Sequence, residues 1–236
     1  MQLFYVTGIT GHTCTLTEEE SRHCVKALRL KNGDQIRITD GLGRFYLGRL
    51  ADTDPRGTLV EIIKYDQVPP LHSWKLHIAI APTKNIERFE WFLEKATEIG
   101  INEITPLICE HSERTAVKLP RLEKVVISAL KQSLGAWLPT LNEAQYFTDF
   151  IQQDHPGQRF IAWCETGGGS ELSRICQMNT DTVILIGPEG DFSPAEISLA
   201  KQTNFIPVSL GKRRLRTETA GIVACHTVDL LNRLEQ

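Results

Sequence analysis

The chain has 236 residues, of which 41% are apolar and 23% charged, with a formal charge of −3 at neutral pH. This composition fits one or two globular domains and excludes wholesale disorder, collagen-like repeats and coiled coil. Residues 1–70 are charge-balanced and the remainder slightly acidic, which excludes nucleic-acid binding through net charge alone and leaves only local patches. Met1–Thr17 is uncharged, but Gln2, Thr7, Thr10, His12, Thr13 and Thr15 interrupt it and no basic start precedes it. It reads as neither signal peptide nor membrane span, and a cytoplasmic protein is expected. Six cysteines (Cys14, Cys24, Cys109, Cys164, Cys176 and Cys225) are dispersed with no Cys-x-x-Cys pair, so neither a disulfide framework nor a metal site is expected.

In chain order, Thr17 followed by Glu20 predicts a capped helix running to about Leu28, where Asn32-Gly33 stops it. Alternating runs at 35–39, 44–48 and 58–63, separated by Asp40-Gly41 and Asp54-Pro55-Arg56-Gly57, predict closely spaced strands and a small barrel. Val68-Pro69-Pro70-Leu71-His72-Ser73 reads as a linker, which divides the chain into 1–70 and 71–236. Beyond it strand and helix alternate, as in an α/β domain whose parallel sheet is covered on both faces. Strands are expected at 76–81, 103–108, 160–164, 183–186 and 205–209. Helices are expected from about Phe89 to Gly100, over 120–134, from the Ser193-Pro194-Ala195-Glu196 capping box onward, and over 217–234.

Two loops carry the chemistry. Gly187-Pro188-Glu189-Gly190 follows a buried strand directly, where an open α/β sheet binds ligands; the plainer reading is a tight strand-to-helix turn. Leu210-Gly211-Lys212-Arg213-Arg214-Leu215-Arg216-Thr217-Glu218-Thr219-Ala220 gathers four cations in five residues just before a helix. That suits phosphate or a nucleic-acid backbone, although a solvated loop capped by Thr217 or Thr219 is the alternative. Arg22, Lys26 and Arg29, at helical spacing, place three cations on one face, and Lys84 lies in the loop after the strand at 76–81. Gly167-Gly168-Gly169-Ser170 reads as a flexible loop. The dinucleotide, P-loop and nucleophile-elbow strings are absent from the sequence, which argues against those chemistries.

Leu185-Ile186-Gly187-Pro188-Glu189-Gly190 with Phe192-Ser193 and Glu196, and Leu210-Gly211 with Leu215-Arg216-Thr217-Glu218-Thr219-Ala220, resemble the two signature loops of the RsmE family. These are the 16S ribosomal RNA (uracil-N3)-methyltransferases. Lys84, Arg88, Glu90, Lys95-Ala96-Thr97-Glu98-Ile99-Gly100, Pro106-Leu107, Gln132-Ser133, His23, Leu28-Arg29, Gly33-Asp34 and Asp40-Gly41 extend the likeness over nearly the whole chain. The resemblance implies a PUA-like barrel (1–70) followed by a SPOUT methyltransferase domain (71–236) with a trefoil knot. It also implies a homodimer that binds S-adenosyl-L-methionine and acts on 16S ribosomal RNA or the small ribosomal subunit. Its implied cofactor residues are Glu165, Ile186, Gly187, Pro188, Glu189, Gly190, Leu210, Gly211, Leu215, Thr217, Thr219 and Ala220. Arg216 would position the uridine or stabilise its charge, with Glu218 orienting Arg216 or helping to accept the proton. Arg22, Lys26, Arg29, Lys84, Lys212, Arg213 and Arg214 would contact RNA. The chain departs from the family at Asp191, usually glycine, at Arg214, usually aliphatic, and at Gly135, often arginine. The alternative function is a non-catalytic RNA-binding or ribosome-assembly factor that keeps the fold.

Overall fold

The computed structural model describes residues 2–70, 72–163 and 170–234. Contacts group the chain into two units, Met1–Leu71 with Ile127–Leu138, and His72–Val126 with Pro139–Gln236.

In the first unit β1 (Leu3–Tyr5), β2 (Thr13–Thr15), β3 (Gln35–Thr39), β4 (Arg44–Asp52) and β5 (Leu59–Gln67) form one sheet in the order β1-β3-β4-β5-β2. β1 pairs parallel to β3 and the other pairings are antiparallel. Alternation drives the inward residues Ile36, Ile38, Tyr46, Leu50 and Val60 into a core shared with Phe4, Leu16 and Cys24. β1 and β2 span three residues each, too few for alternation to mark them in the sequence.

The predicted helix is corrected here. Thr17 does cap it, its hydroxyl accepting from Glu20 N at 3.3 Å, but α1 spans only Glu18–Arg22. His23–Ala27 then winds as a π-helix, with Leu28 N donating to His23 O at 3.0 Å. Cys24 is buried in the core of the sheet, and Val25, Leu28 and Leu30 pack against that core partly buried. Arg29 follows in the left-handed region at φ 57°.

The second unit holds β6 (Leu76–Ile80), α2 (Ile86–Ile99), β7 (Glu103–Ile108), β8 (Thr140–Leu141), β9 (Gln145–Tyr146), α4 (Phe147–Phe150), β10 (Gln158–Ala162), α5 (Leu172–Ile175), β11 (Thr182–Ile186), α6 (Pro194–Gln202), β12 (Ile206–Val208) and α7 (Thr217–Arg233). α3 (Leu119–Gln132) runs from this unit into the residues grouped with the first. The strands are all parallel, in the order β12-β10-β11-β6-β7-β8 with β9 also on β7. β11 is buried along its whole length, as expected for a strand covered on both faces. Gly100 caps α2 at φ 108°. α7 lies close against α2: a Cβ at Gly221 would stand 2.7 Å from the Phe92 ring, so only glycine permits the approach. β8, β9, α4 and α5 were not expected from the sequence, because none exceeds four residues. Among the described residues no helix is long and apolar enough to cross a membrane.

Candidate cofactor and RNA site

The carboxyl ends of β10, β11 and β12 lie side by side, and the chain leaves β11 and β12 through the two signature loops. Around these ends is a cavity of about 310 Å³, within the range of small-molecule sites. Ile186, Gly187, Pro188 and Glu189 line one wall. Leu210, Gly211, Leu215, Thr217 and Ala220 line another, with the guanidinium-bearing Arg213, Arg214 and Arg216 at the same cavity. The two signature loops, 20 or more residues apart in sequence, therefore meet. Thr217 Oγ1 donates to Gly187 O at 3.0 Å, and Arg214 donates to Glu189 O at 3.4 Å.

The local reasons are visible residue by residue. Pro188 O accepts from Asp191 N at 3.0 Å to close the turn, and Asp191 adopts φ 64°. Asp tolerates this left-handed conformation better than most side chains, so the glycine departure leaves a glycine-like backbone. Asp191 Oδ1 also accepts from Phe192 N at 2.8 Å. A Cβ at Gly187 would stand 3.0 Å from the Phe192 ring, and one at Gly190 3.0 Å from His111 Cβ, so the chain's own side chains occupy that side of both glycines. The Ser193 capping box forms with both reciprocal bonds, and Glu196 Oε1 also accepts from Glu110 N at 2.9 Å. α6 is thereby tied to the loop after β7. Glu189 Oε1 accepts from Lys84 N at 3.0 Å, while its Oε2 is buried with no hydrogen-bond partner among the described residues. An orphaned acceptor beside the cavity suits a ligand hydroxyl or ammonium group.

Other expected residues lie elsewhere. Gly190, Lys212 and Thr219 belong to the loops but do not line the cavity. Glu165, with Gly167, Gly168 and Gly169, lies outside the described residues. Glu218 is buried and faces α2, 4.0 Å from Arg88 Nε, with its Oε2 unpartnered among the described residues. The bond to Arg216 that an orienting role requires is not formed among them. α7 has Arg216 at its N-cap with no side-chain cap bond, so neither Thr217 nor Thr219 caps the helix. Lys84 Nζ pairs with Glu113 at 2.7 Å, which raises the ammonium pKa and engages its charge. Arg22, Lys26 and Arg29 are exposed in the first unit, but the π-turn and the left-handed Arg29 break the single helical face expected for them. Arg22 is also engaged by Glu18. The sequence reading missed Ala162, Trp163, Asp191 and Val208 as cavity residues. The ends of the expected strands at 160–164 and 205–209 pointed to Ala162, Trp163 and Val208, since parallel strands present their carboxyl ends at one edge.

Residues 70–229 match the RNA methyltransferase domain family, and residues 16–63 match the RNA methyltransferase PUA domain family. The chain is 33% identical over 227 residues to ribosomal RNA small subunit methyltransferase E of Synechocystis sp., covering 93% of this chain and 73% of that protein. A crystal structure of a probable rRNA-methyltransferase from Porphyromonas gingivalis superposes over 100% of both chains with a TM-score of 0.93 at 39% identity. Ribosomal RNA small subunit methyltransferase E from Neisseria gonorrhoeae, bound to S-adenosyl methionine, superposes over 98% of both chains with a TM-score of 0.87 at 26% identity.

Proposed function

Because the chain belongs to the ribosomal RNA small subunit methyltransferase E family, we propose that it methylates N3 of one uridine in 16S ribosomal RNA within the assembled small subunit, in the cytoplasm. The mixed α/β fold, with a PUA unit ahead of an RNA methyltransferase unit, is that of the family. The chain is an S-adenosylmethionine-dependent enzyme. The observation that carries the reading is the meeting of the Ile186–Gly190 and Leu210–Ala220 loops around one cavity at the sheet's carboxyl edge.

The residues present fit S-adenosylmethionine. Ile186, Leu210, Leu215 and Ala220 offer apolar contact to a purine, and Glu189 Oε2 is an unused acceptor. Gly211, where an added Cβ would meet nothing within 4 Å, keeps the backbone open to a ligand. Bound there, S-adenosylmethionine supplies a methyl group made electrophilic by its sulfonium. N3 of uracil lies on the Watson–Crick edge, so the base must be unpaired, and N3 must give its proton to water as its bond to the methyl carbon forms and the bond from that carbon to sulfur breaks, the electron pair staying on sulfur as a neutral thioether. Arg216 is exposed at the cavity and is assigned the developing negative charge on the uracil. Glu218, turned toward Arg88, is assigned to holding the first turn of α7 on α2. Lys212, Arg213 and Arg214 are assigned to RNA phosphates. Gly190 and Thr219 remain within the cofactor reading as members of the two loops, and Glu165 remains there through the family resemblance alone. The working unit is assigned as a homodimer with the knotted threading that the resemblance implies.

Labelled methyl transfer from S-adenosylmethionine to unmodified small subunits, alongside naked 16S RNA, tests the reading. Label recovered as 3-methyluridine, mainly from subunits, is expected. Label at another atom or another RNA would refute the substrate assignment. A mass by light scattering corresponding to one chain would refute the homodimer.

A further inference from the structure

The first unit contains a second large concavity, about 850 Å³, between the loop at residues 8–12 and the outer half of strands β4 and β5. Strand pairing on the outer side of β5 ends at Glu61, with one more bond from Ile62 N to His12 O at 2.8 Å. Beyond that point the strand projects with both faces accessible, yet it keeps large apolar groups there. Tyr65 is 62% exposed, Ile63 45% and the neighbouring Leu42 65%. A contiguous apolar and aromatic surface on a soluble strand marks an interaction site.

The chemistry of this surface selects among partners. Tyr46 and Tyr65 are cross-strand partners with ring centroids 5.8 Å apart. Tyr46 is fixed: its hydroxyl donates to Asp40 Oδ2 at 3.0 Å and accepts from Arg44 at 3.5 Å. Arg44 is held in turn by Gln67 Oε1 at 3.3 Å and by Asp40 at 3.7 Å. Tyr65 therefore offers a free ring face backed by an anchored ring. Arg44 and Lys64 leave 48% and 62% of their side chains exposed beside it. Aromatic faces interleaved with cations are what an unpaired nucleic-acid strand requires, bases stacking on the rings and phosphates meeting the charges. A peptide adding as a strand to the free edge of β5 fits less well, because Lys64 and Asp66 charge that edge as natural sheets do to prevent strand addition.

We propose that this cleft binds an unpaired segment of the RNA substrate, with a base stacked on Tyr65 and the adjoining phosphates on Arg44 and Lys64. The proposal rests on the RNA-methyltransferase reading above and moves the principal RNA contact of the first unit from Arg22, Lys26 and Arg29 to the outer half of β5.

The test uses the full chain and a fluorescein-labelled, uridine-rich single-stranded RNA oligonucleotide, with binding followed by anisotropy over a range of salt. Tyr65→Ala is expected to weaken binding about tenfold, and Tyr65→Phe, which keeps the ring, to restore it to within about twofold. Arg44→Gln is expected to lower the salt slope by about one. Tyr65 is exposed, so the Ala variant should unfold at the wild-type temperature and bind S-adenosylmethionine with wild-type affinity by calorimetry. In methyl transfer to small subunits, KM should rise in the Ala variant while kcat stays within about twofold. RNA affinity and KM unchanged in Tyr65→Ala would overturn the proposal, leaving the cleft to a protein strand, while wild-type methyl transfer would keep the enzymatic reading intact. A wild-type protein that neither bound RNA nor transferred methyl would refute both.

Discussion

The cavity of the second unit and the cleft of the first are built by opposite means. The cavity is made of backbone. Its walls are turns at the ends of parallel strands, held by Thr217 on Gly187 O and Lys84 N on Glu189, and the glycines of the first loop, Gly187 and Gly190, are dictated by how closely Phe192 and His111 approach. The cleft is made of side chains drawn from two strands, Arg44 on β4 with Tyr65 and Gln67 on β5, over the buried Tyr46. A backbone-built site constrains consecutive residues and so leaves strings in the sequence. A side-chain-built site needs one residue here and another twenty positions on, any of which passes for ordinary surface.

The largest effect should come from Arg216, the side chain proposed to meet the charge that develops on the uracil. Arg216→Ala is expected to reduce kcat for methyl transfer by about 100- to 1,000-fold, the loss typical of one preorganised charge-stabilising group. S-adenosylmethionine affinity, read by calorimetry, should stay within about threefold, because the apolar walls and the turns remain. Equal losses in kcat and in cofactor affinity would place Arg216 among the cofactor contacts instead.

The second unit also differs from the first in burying histidine. His77, on β6, hydrogen-bonds Thr105 Oγ1 at 2.8 Å, and its ring lies edge-on to Phe150 and His155. Burial lowers its pKa to about 4, against the opposing pull of Glu103. The sign follows from the depressed value. Between about pH 6.5 and pH 4 the unfolded chain takes up a proton that the folded chain refuses, so stability falls as pH falls through that window. The ceiling is about 3 kcal/mol. Urea unfolding at pH 7 and pH 4.5 should show this loss in the wild type and a shallower pH dependence in His77→Gln; identical slopes would remove His77 as the cause.

A smaller loss should follow from crowding the helix whose first turn lines the cavity. Gly221→Ala puts a methyl where the Phe92 ring and Ile80 already stand, 2.7 and 2.8 Å away. Overpacking of this kind costs typically about 1–3 kcal/mol. Because α7 begins at Thr217, the displacement should reach the Thr217–Gly187 bond, so a drop in melting temperature should be accompanied by weaker cofactor binding. A drop in melting temperature alone would mean that α7 shifts without carrying its first turn.

What could be read in advance follows the same division. Ser193 to Glu196 encodes its capping box in four residues, and Gly100 its left-handed cap in one, because each is a local backbone requirement. The meeting of Gly187 with Thr217 was readable only as two strings of the family type; the contact depends on the order of β10, β11 and β12, which no local pattern specifies. Glu218 stands in the family string as a candidate site residue, whereas the direction it faces, toward Arg88 on α2, is set by how α7 packs through Gly221. The π-turn at His23–Ala27 left no mark at all, since its residues are compatible with an ordinary helix.

That turn bears on the smallest predicted effect. Replacing Arg22, Lys26 and Arg29 together by glutamine removes three formal charges, which on a common helical face would lower the salt slope of RNA binding by nearly three. The three do not share such a face. Arg22 is engaged by Glu18, winding changes between Arg22 and Lys26, and Arg29 stands beyond the helix in a left-handed conformation. The expected outcome is a loss of less than about threefold in RNA affinity at moderate salt and a slope change of about one. Set beside Tyr65→Ala in the same anisotropy titration, this variant decides which face of the first unit meets RNA. A slope change near three with Tyr65→Ala silent would return that role to the helix, and would mean that the cations converge on the backbone of the RNA despite the irregular winding beneath them.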